Sequence, residues 1–352
     1  MLRLVLAFLL LNFAFVPVRA DGVDDYVHEQ LQARHIPGLS LVVVREGKIV
    51  KAQSYGLANI ELNAPVSIES VFEIGSITKQ LTAAAIMLLV EEGKVKLDER
   101  INVYLSDLHP PEAWDKVTVR HLLTHTSGIK TYTGLPGFEF SKHLKGEEFV
   151  KALSGFPLDF QPGEKWSYSN SGFNLLGLII EKASHQPYWE FMAARIYKPL
   201  GMTATRDRDP VPIVKGRVTG YEWKNGAWIN RDTDLTDIFS AGATVSTALD
   251  LAKWNAALDA ERLLKKTSLE QIWTPVRLTD GKTHPYGFGW DVDTVNGHRL
   301  ISHGGQTAGF SASIARYVDD KLTIIVLCNL GESGVAGKVR QGIAKLYVPA
   351  LP

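Results

Sequence analysis

Apolar positions recur at helical spacing over Val23–Arg34, where Val23, Tyr26, Val27 and Leu31 share one side. Pro37-Gly38 breaks that rhythm. Two β-rich runs follow, Leu39–Arg45 and Lys48–Tyr55, separated by Glu46-Gly47, a pattern that predicts a hairpin. A small-residue turn, Gly75-Ser76, leads into a nearly all-apolar helix that ends near Glu92-Gly93, with glycine at the stop. The middle of the chain keeps a mostly helical rhythm. Thr118 is placed to cap a short helix, Glu147–Leu153 reads as another, and Asn170 caps a third in which Leu175, Leu176, Ile179, Ile180 and Ala183 line one face. A further helix covers Tyr188–Ile196. Val211–Ile238 reads as hairpin or loop around Gly226, and Ser246 is the expected cap of the helix after it.

The C-terminal third returns to alternation. Tyr286–Thr294 and His298–His303 flank Asn296-Gly297, which predicts a type I′ hairpin. Phe310–Val318 and Leu322–Cys328 flank Asp319-Asp320, and a last helix spans Gly334–Tyr347. Hairpins at both ends are most economically joined in one antiparallel sheet. The expected fold is therefore α+β: an antiparallel sheet from both chain ends, flanked by helices, with an inserted mostly helical subdomain. The α/β part covers 21–74 and 240–352 and the helical part 75–239.

Composition changes this picture little. The 352 residues are 45% hydrophobic and 22% charged, which suits a large buried core. Lys+Arg and Asp+Glu both number 38, and no basic run is interleaved with aromatics, so nucleic-acid binding is disfavoured. The first twenty residues differ in kind. Arg3 precedes an apolar stretch, Leu4–Val16, and Val18-Arg19-Ala20 places small residues where a signal peptidase reads. Residues 1–20 thus read as a secretory signal peptide, leaving a periplasmic or secreted chain with no membrane contact after cleavage. The single cysteine, Cys328, lies in a strand pattern and reads as a buried small hydrophobe. The oligomeric state is left open.

The candidate chemistry begins at Ser76. Lys79 lies one helical turn on, so the hydroxyl and the amine can touch. The start of the helix adds unpaired N–H groups and a positive dipole end, which suits a nucleophile and a developing oxyanion. Lysine must be neutral to act as a base, and burial would lower its ordinary pKa of ~10.4. His121 and His125 stand four apart on a helix, but no glutamate follows His121 and no third ligand is evident, so structural histidines are favoured over a zinc site. No metal or cofactor is implied. Gly-x-Ser-x-Gly is absent around Ser76, which disfavours a nucleophile elbow. Trp166, Trp223, Trp228 and Trp290 read as pocket lining or ordinary packing.

Three motifs occur in one order: Ser76-x-x-Lys79, Tyr168-Ser169-Asn170 and His303-Gly304-Gly305. With Phe72–Ser76, His121–Gly128, Pro162-Gly163, Pro199–Met202 and Gly287–Trp290 they make the chain, from about Ile36 to Cys328, resemble the serine penicillin-recognising superfamily. That superfamily includes class C β-lactamases, D-alanyl-D-alanine carboxypeptidases and family VIII esterases. The resemblance implies an acylated nucleophile at Ser76, a base at Lys79 and a second base or proton shuttle at Tyr168. It implies that Asn170 hydrogen-bonds substrate or Lys79, and that the N–H groups of Ser76 and Gln306 form the oxyanion hole. His303 stands where the lactamases carry the lysine of Lys-Thr-Gly, so a weaker, titratable cation is expected there. Gly304 and Gly305 let backbone approach substrate. The resemblance thus implies an exported serine hydrolase acting on an ester or amide small molecule or peptide, as a carboxylesterase or D-amino-acid peptidase. A β-lactamase and a non-catalytic ligand-binding homologue are the alternatives.

Overall fold

The computed structural model describes residues 22–135, 146–231 and 238–351. The expected signal segment lies outside the described residues. Helix α1 (Gly22–Ala33) precedes strands β1 (Gly38–Arg45) and β2 (Lys48–Asn59). Glu46 and Gly47 both adopt positive φ, 51° and 75°, as a type I′ turn requires. A two-residue strand, β3 (Ala64–Pro65), follows. The middle of the chain contributes α2 (Thr78–Glu91) and α3 (Asn170–Ser184). Helix α4 (Ala248–Asp259) leads to β4 (Asp291–Val295), β5 (His298–Gln306), β6 (Ser311–Tyr317), β7 (Leu322–Cys328) and the closing helix α5 (Val335–Tyr347).

The seven strands form one antiparallel sheet in the order β4-β5-β6-β7-β1-β2-β3. The two chain ends meet where β1 pairs β7, from Leu39 opposite Cys328 to Arg45 opposite Leu322. Strand β1 is apolar on both faces because both are covered. Leu39, Leu41 and Val43 pack with α1 and α5, whereas Val42 and Val44 face the larger core that holds α2 and α4. Helix α2 is buried from Thr78 through Leu89. Protein lies on every side of it, which is why its sequence after Thr82 is apolar all round, while Lys79 and Thr82 in its first turns find buried partners.

Local details refine the sequence expectations. The cap of α3 is Ser169, whose Oγ accepts from the Gly172 N–H at 3.3 Å; Asn170 is the first helical residue. Likewise Thr247, not Ser246, caps α4. Each shift moves the hydroxyl into register with the N–H three residues on. These shifts matter most at Asn170, whose amide is thereby free for other partners. The segment Tyr286–Trp290 lies outside β4, which starts at Asp291. Tyr188–Met192 is helical and continues as one wider turn over Ala193–Tyr197.

Candidate active site

Ser76 sits in a single tight turn, Gly75–Ile77, that runs directly into α2. Gly75 has φ of 50°, and a Cβ there would lie 2.6 Å from the Gln306 backbone nitrogen. A Cβ on Gly305 would lie 1.9 Å from the Ile74 carbonyl oxygen. The serine turn and strand β5 are thus in backbone contact, a closeness that only glycine permits. It holds the N–H groups of Ser76 and Gln306 side by side. On its other side, β5 pairs with β4 only as far as Ser302, opposite Asp291. Residues 303–306 therefore carry no described strand partner along that edge.

Lys79 is fully buried. Its Nζ lies 3.0 Å from Ser76 Oγ, 2.8 Å from Asn170 Oδ1 and 2.7 Å from the Ala241 carbonyl oxygen. Burial pushes its pKa well below the ordinary lysine value. A neutral amine has two N–H groups and one lone pair. Asn170 and Ala241 are both acceptors and take the two hydrogens, which leaves the lone pair facing the Ser76 hydroxyl. Tyr168 donates its hydroxyl to Ser76 Oγ at 2.7 Å. Desolvation raises the Tyr168 pKa strongly, with the Ser76 hydrogen bond opposing, so the ring is a neutral phenol. A neutral phenol with its hydroxyl on Ser76 Oγ is placed to donate a proton.

His303 departs from expectation. Its ring is buried, and its pKa is lowered to about 4, chiefly by desolvation, with the Gly304 hydrogen bond opposing. Both ring nitrogens are engaged. Nδ1 lies 2.6 Å from the Gly304 carbonyl, which can only accept, so Nδ1 carries the proton. Nε2 therefore accepts from the Tyr286 hydroxyl at 3.0 Å. Tyr286 in turn lies 3.2 Å from His125 Nε2. His125 Nδ1 accepts from the Ser169 N–H at 3.1 Å, so its proton is on Nε2 and donates to Tyr286. The chain His125 to Tyr286 to His303 thus has one consistent direction, with both histidines neutral. The weak cation expected at His303 is corrected to a neutral, fully engaged imidazole, because burial penalises the charged ring and both of its nitrogens are already partnered.

Two of these groups escaped sequence reasoning. His125 was read only as a structural histidine, and Tyr286 stands one residue before Gly287–Trp290; neither has a local pattern that announces a pairing 161 residues apart. His121 caps its own helix: Thr118 Oγ1 accepts from the His121 N–H at 3.3 Å and His121 Nδ1 accepts from the Thr118 N–H at 3.1 Å. Of the pocket-lining candidates, Trp166 stacks on His284 at 4.0 Å beside Tyr286, Trp290 is core, and Trp223 and Trp228 pack on each other beside His35. Among the described residues no cluster of His, Cys, Asp or Glu could hold a metal. Cys328 is buried, and desolvation pushes its thiol pKa up.

Ser76 and Tyr168 open into a cleft of about 440 Å³. Its walls include Gly304 and Gln306 of β5, Asp291 at the start of β4 and Arg340 of α5. Arg340 donates from Nη1 to the Tyr317 hydroxyl at 2.7 Å, and its buried Nε has no hydrogen-bond partner among the described residues.

Comparison with known proteins is consistent along the chain. A family model described as Beta-lactamase matches residues 23–347. A penicillin-binding protein of Bacillus subtilis (strain 168) is 32% identical over 326 residues, covering 86% of this chain and 70% of the relative. Protein flp of Staphylococcus aureus (strain MW2) is 28% identical, and the chain spans 64% of that relative's length against 89% of its own. Among solved structures, the octameric penicillin-binding protein homologue from Pyrococcus abyssi superposes with a TM-score of 0.81 at 28% identity, covering 93% of this chain and 77% of that one. The D-amino acid amidase from Ochrobactrum anthropi SV3 gives 0.79 at 25% identity, covering 94% and 98%.

Proposed function

Because this chain belongs to the beta-lactamase family of serine hydrolases, we propose that it cleaves an ester or amide through an acyl-enzyme at Ser76. The observation that carries the reading is the hydrogen-bond arrangement at Lys79. Its Nζ lies 3.0 Å from Ser76 Oγ with Asn170 Oδ1 and the Ala241 carbonyl as its other two partners, and burial lowers its pKa, so that the neutral amine turns its lone pair to the Ser76 hydroxyl. Lys79 takes the Ser76 proton as Oγ attacks the acyl carbon. The carbonyl oxygen becomes an oxyanion between the N–H groups of Ser76 and Gln306. Tyr168, a neutral phenol on the same oxygen, gives its proton to the departing alcohol or amine, and the Lys79 ammonium restores it. Water then attacks the acyl-enzyme by the reverse proton path and frees Ser76.

For substrate class, a carboxylesterase or D-amino-acid peptidase-like activity ranks first. His303 supplies no charge where the lactamases place a lysine. The neighbouring D-amino acid amidase structure supports acyl donors of the D-amino-acid kind. A β-lactamase is the second reading, and Arg340 favours it: its side chain is a cation in the lining of the cleft, where a substrate carboxylate would lie. One panel separates them: p-nitrophenyl acetate, D-alanyl peptides and nitrocefin. Esters or D-peptides should turn over well above nitrocefin; the reverse order sinks the ranking. Export is part of the proposal and rests on the basic and apolar pattern of residues 1–20.

A further inference from the structure

Among the described residues Asp291 is the one acidic side chain in the wall of the Ser76 cleft. Among the described residues its carboxylate makes no hydrogen bond and no ion pair, and it is exposed to the cleft. Its place in the sheet is specific. The β4–β5 ladder ends with Asp291 opposite Ser302, and the unpaired edge of β5 runs on from there to Gln306. At about 3.3 Å per residue, Gln306 and Ser302 lie about 13 Å apart along the strand. The oxyanion site is at the Gln306 end. Tyr168, the proton donor to the leaving group, has its ring centroid 6.4 Å from that of His303, the residue next to Ser302. Asp291 is near enough to disfavour ionisation of the Tyr168 phenol. A leaving group protonated by Tyr168 and extending along the free edge thus reaches Asp291.

Resting on the acyl-enzyme reading above, we propose that Asp291 is an ammonium-binding subsite for the leaving group, so that esters and amides whose departing alcohol or amine carries a positive charge some 7–10 Å from the scissile bond are preferred. Arg340, on another wall of the same cleft, sharpens the choice. It is the only arginine or lysine among the described lining residues, and Asp291 is the only anionic one, so a cationic leaving group has one place to bind. The charged and titratable groups that act on Asp291 are His284, Asp293 and Arg340. Desolvation, partly opposed by His284, raises the Asp291 pKa to about 6, so the carboxylate is ionised at pH 7 and becomes neutral as the pH falls below that value. His284 has its pKa lowered by burial and does not neutralise Asp291 at pH 7.

The test uses two acetates of the same phenol: O-acetyltyramine, whose para-aminoethyl arm carries an ammonium, and O,N-diacetyltyramine, whose arm is a neutral amide, with Asp291→Asn isolating the effect of charge from that of the added acetyl group. The ratio of their kcat/KM values is the readout. The wild-type protein should favour the cationic ester about fivefold at pH 7.5, and the preference should fade below pH 6. Asp291→Asn should bring the ratio to about one, and Asp291→Glu should restore most of it. An unchanged ratio in Asp291→Asn, or no wild-type preference, overturns the subsite. Ser76→Ala run alongside keeps the two claims apart. Turnover of both esters that survives Ser76→Ala overturns the acyl-enzyme reading; turnover lost in Ser76→Ala with a ratio insensitive to Asp291 overturns only the subsite.

Discussion

Lowering the pH from 7 to 5 should destabilise this protein measurably through His303 alone. The ring is buried, and its pKa is about 4 in the folded chain, against an ordinary value of ~6.5. The folded value is depressed, so the unfolded chain takes up the proton first. The stability contribution is therefore fully present above ~6.5 and is lost as the pH falls through 4. The gap of about 2.5 corresponds to about 3.4 kcal/mol in all, of which about 2 kcal/mol is lost by pH 5. His125 acts with the same sign, since burial also holds its pKa well below normal. Asp291 acts with the opposite sign, because its raised pKa relieves a penalty as the pH drops. Comparison with His303→Gln removes both. The glutamine amide can still accept from Tyr286, but it does not titrate. Urea unfolding at pH 7 and pH 5 should show the wild-type protein losing about 2 kcal/mol more than the variant. Equal losses would mean that His303 is already charged or solvated in the folded state, and the directed chain from His125 through Tyr286 would be wrong.

Lys79→Met keeps the volume of the side chain and removes the lone pair; kcat/KM on p-nitrophenyl acetate should fall by about 10²–10⁴-fold with circular dichroism unchanged, and a variant retaining a tenth of wild-type turnover would remove Lys79 from the proton path. Gly305→Ala forces a Cβ to within 1.9 Å of the Ile74 carbonyl and must displace the Ser76 turn. Its ester turnover should drop by about 100-fold, and a wild-type rate would show that the contact of β5 with that turn does not set the oxyanion geometry.

What could be read from the sequence was what depends on short spacings. Ser76 and Lys79 share a helical face, and the 3.0 Å contact follows from that. The Glu46-Gly47 and Asn296-Gly297 turns announce their hairpins because both positions in each need positive φ. The antiparallel sheet, with both chain ends in it, followed from those hairpins, and the pairing of β1 with β7 bears that out. The position of the cap at Ser169 was missed by one residue, because Ser169 and Asn170 are both good caps and only the register of the N–H groups decides. The state of His303 was not legible at all. A Lys-to-His replacement at one position suggests a weaker cation; a buried tyrosine and a second buried histidine make it neutral, and they arrive from elsewhere in the chain. Asp291 was likewise silent, since its meaning comes from where a strand ladder stops.

The central claim is that Ser76 forms a covalent acyl-type bond because Lys79 and Tyr168 converge on its oxygen. Intact-protein mass spectrometry after exposure to a fluorophosphonate probe tests this most directly. The account predicts one adduct per chain, mapped by peptide sequencing to Ser76, and none in a folded Ser76→Ala variant. A folded wild-type protein that stays unmodified, or an adduct on any other residue, would contradict it.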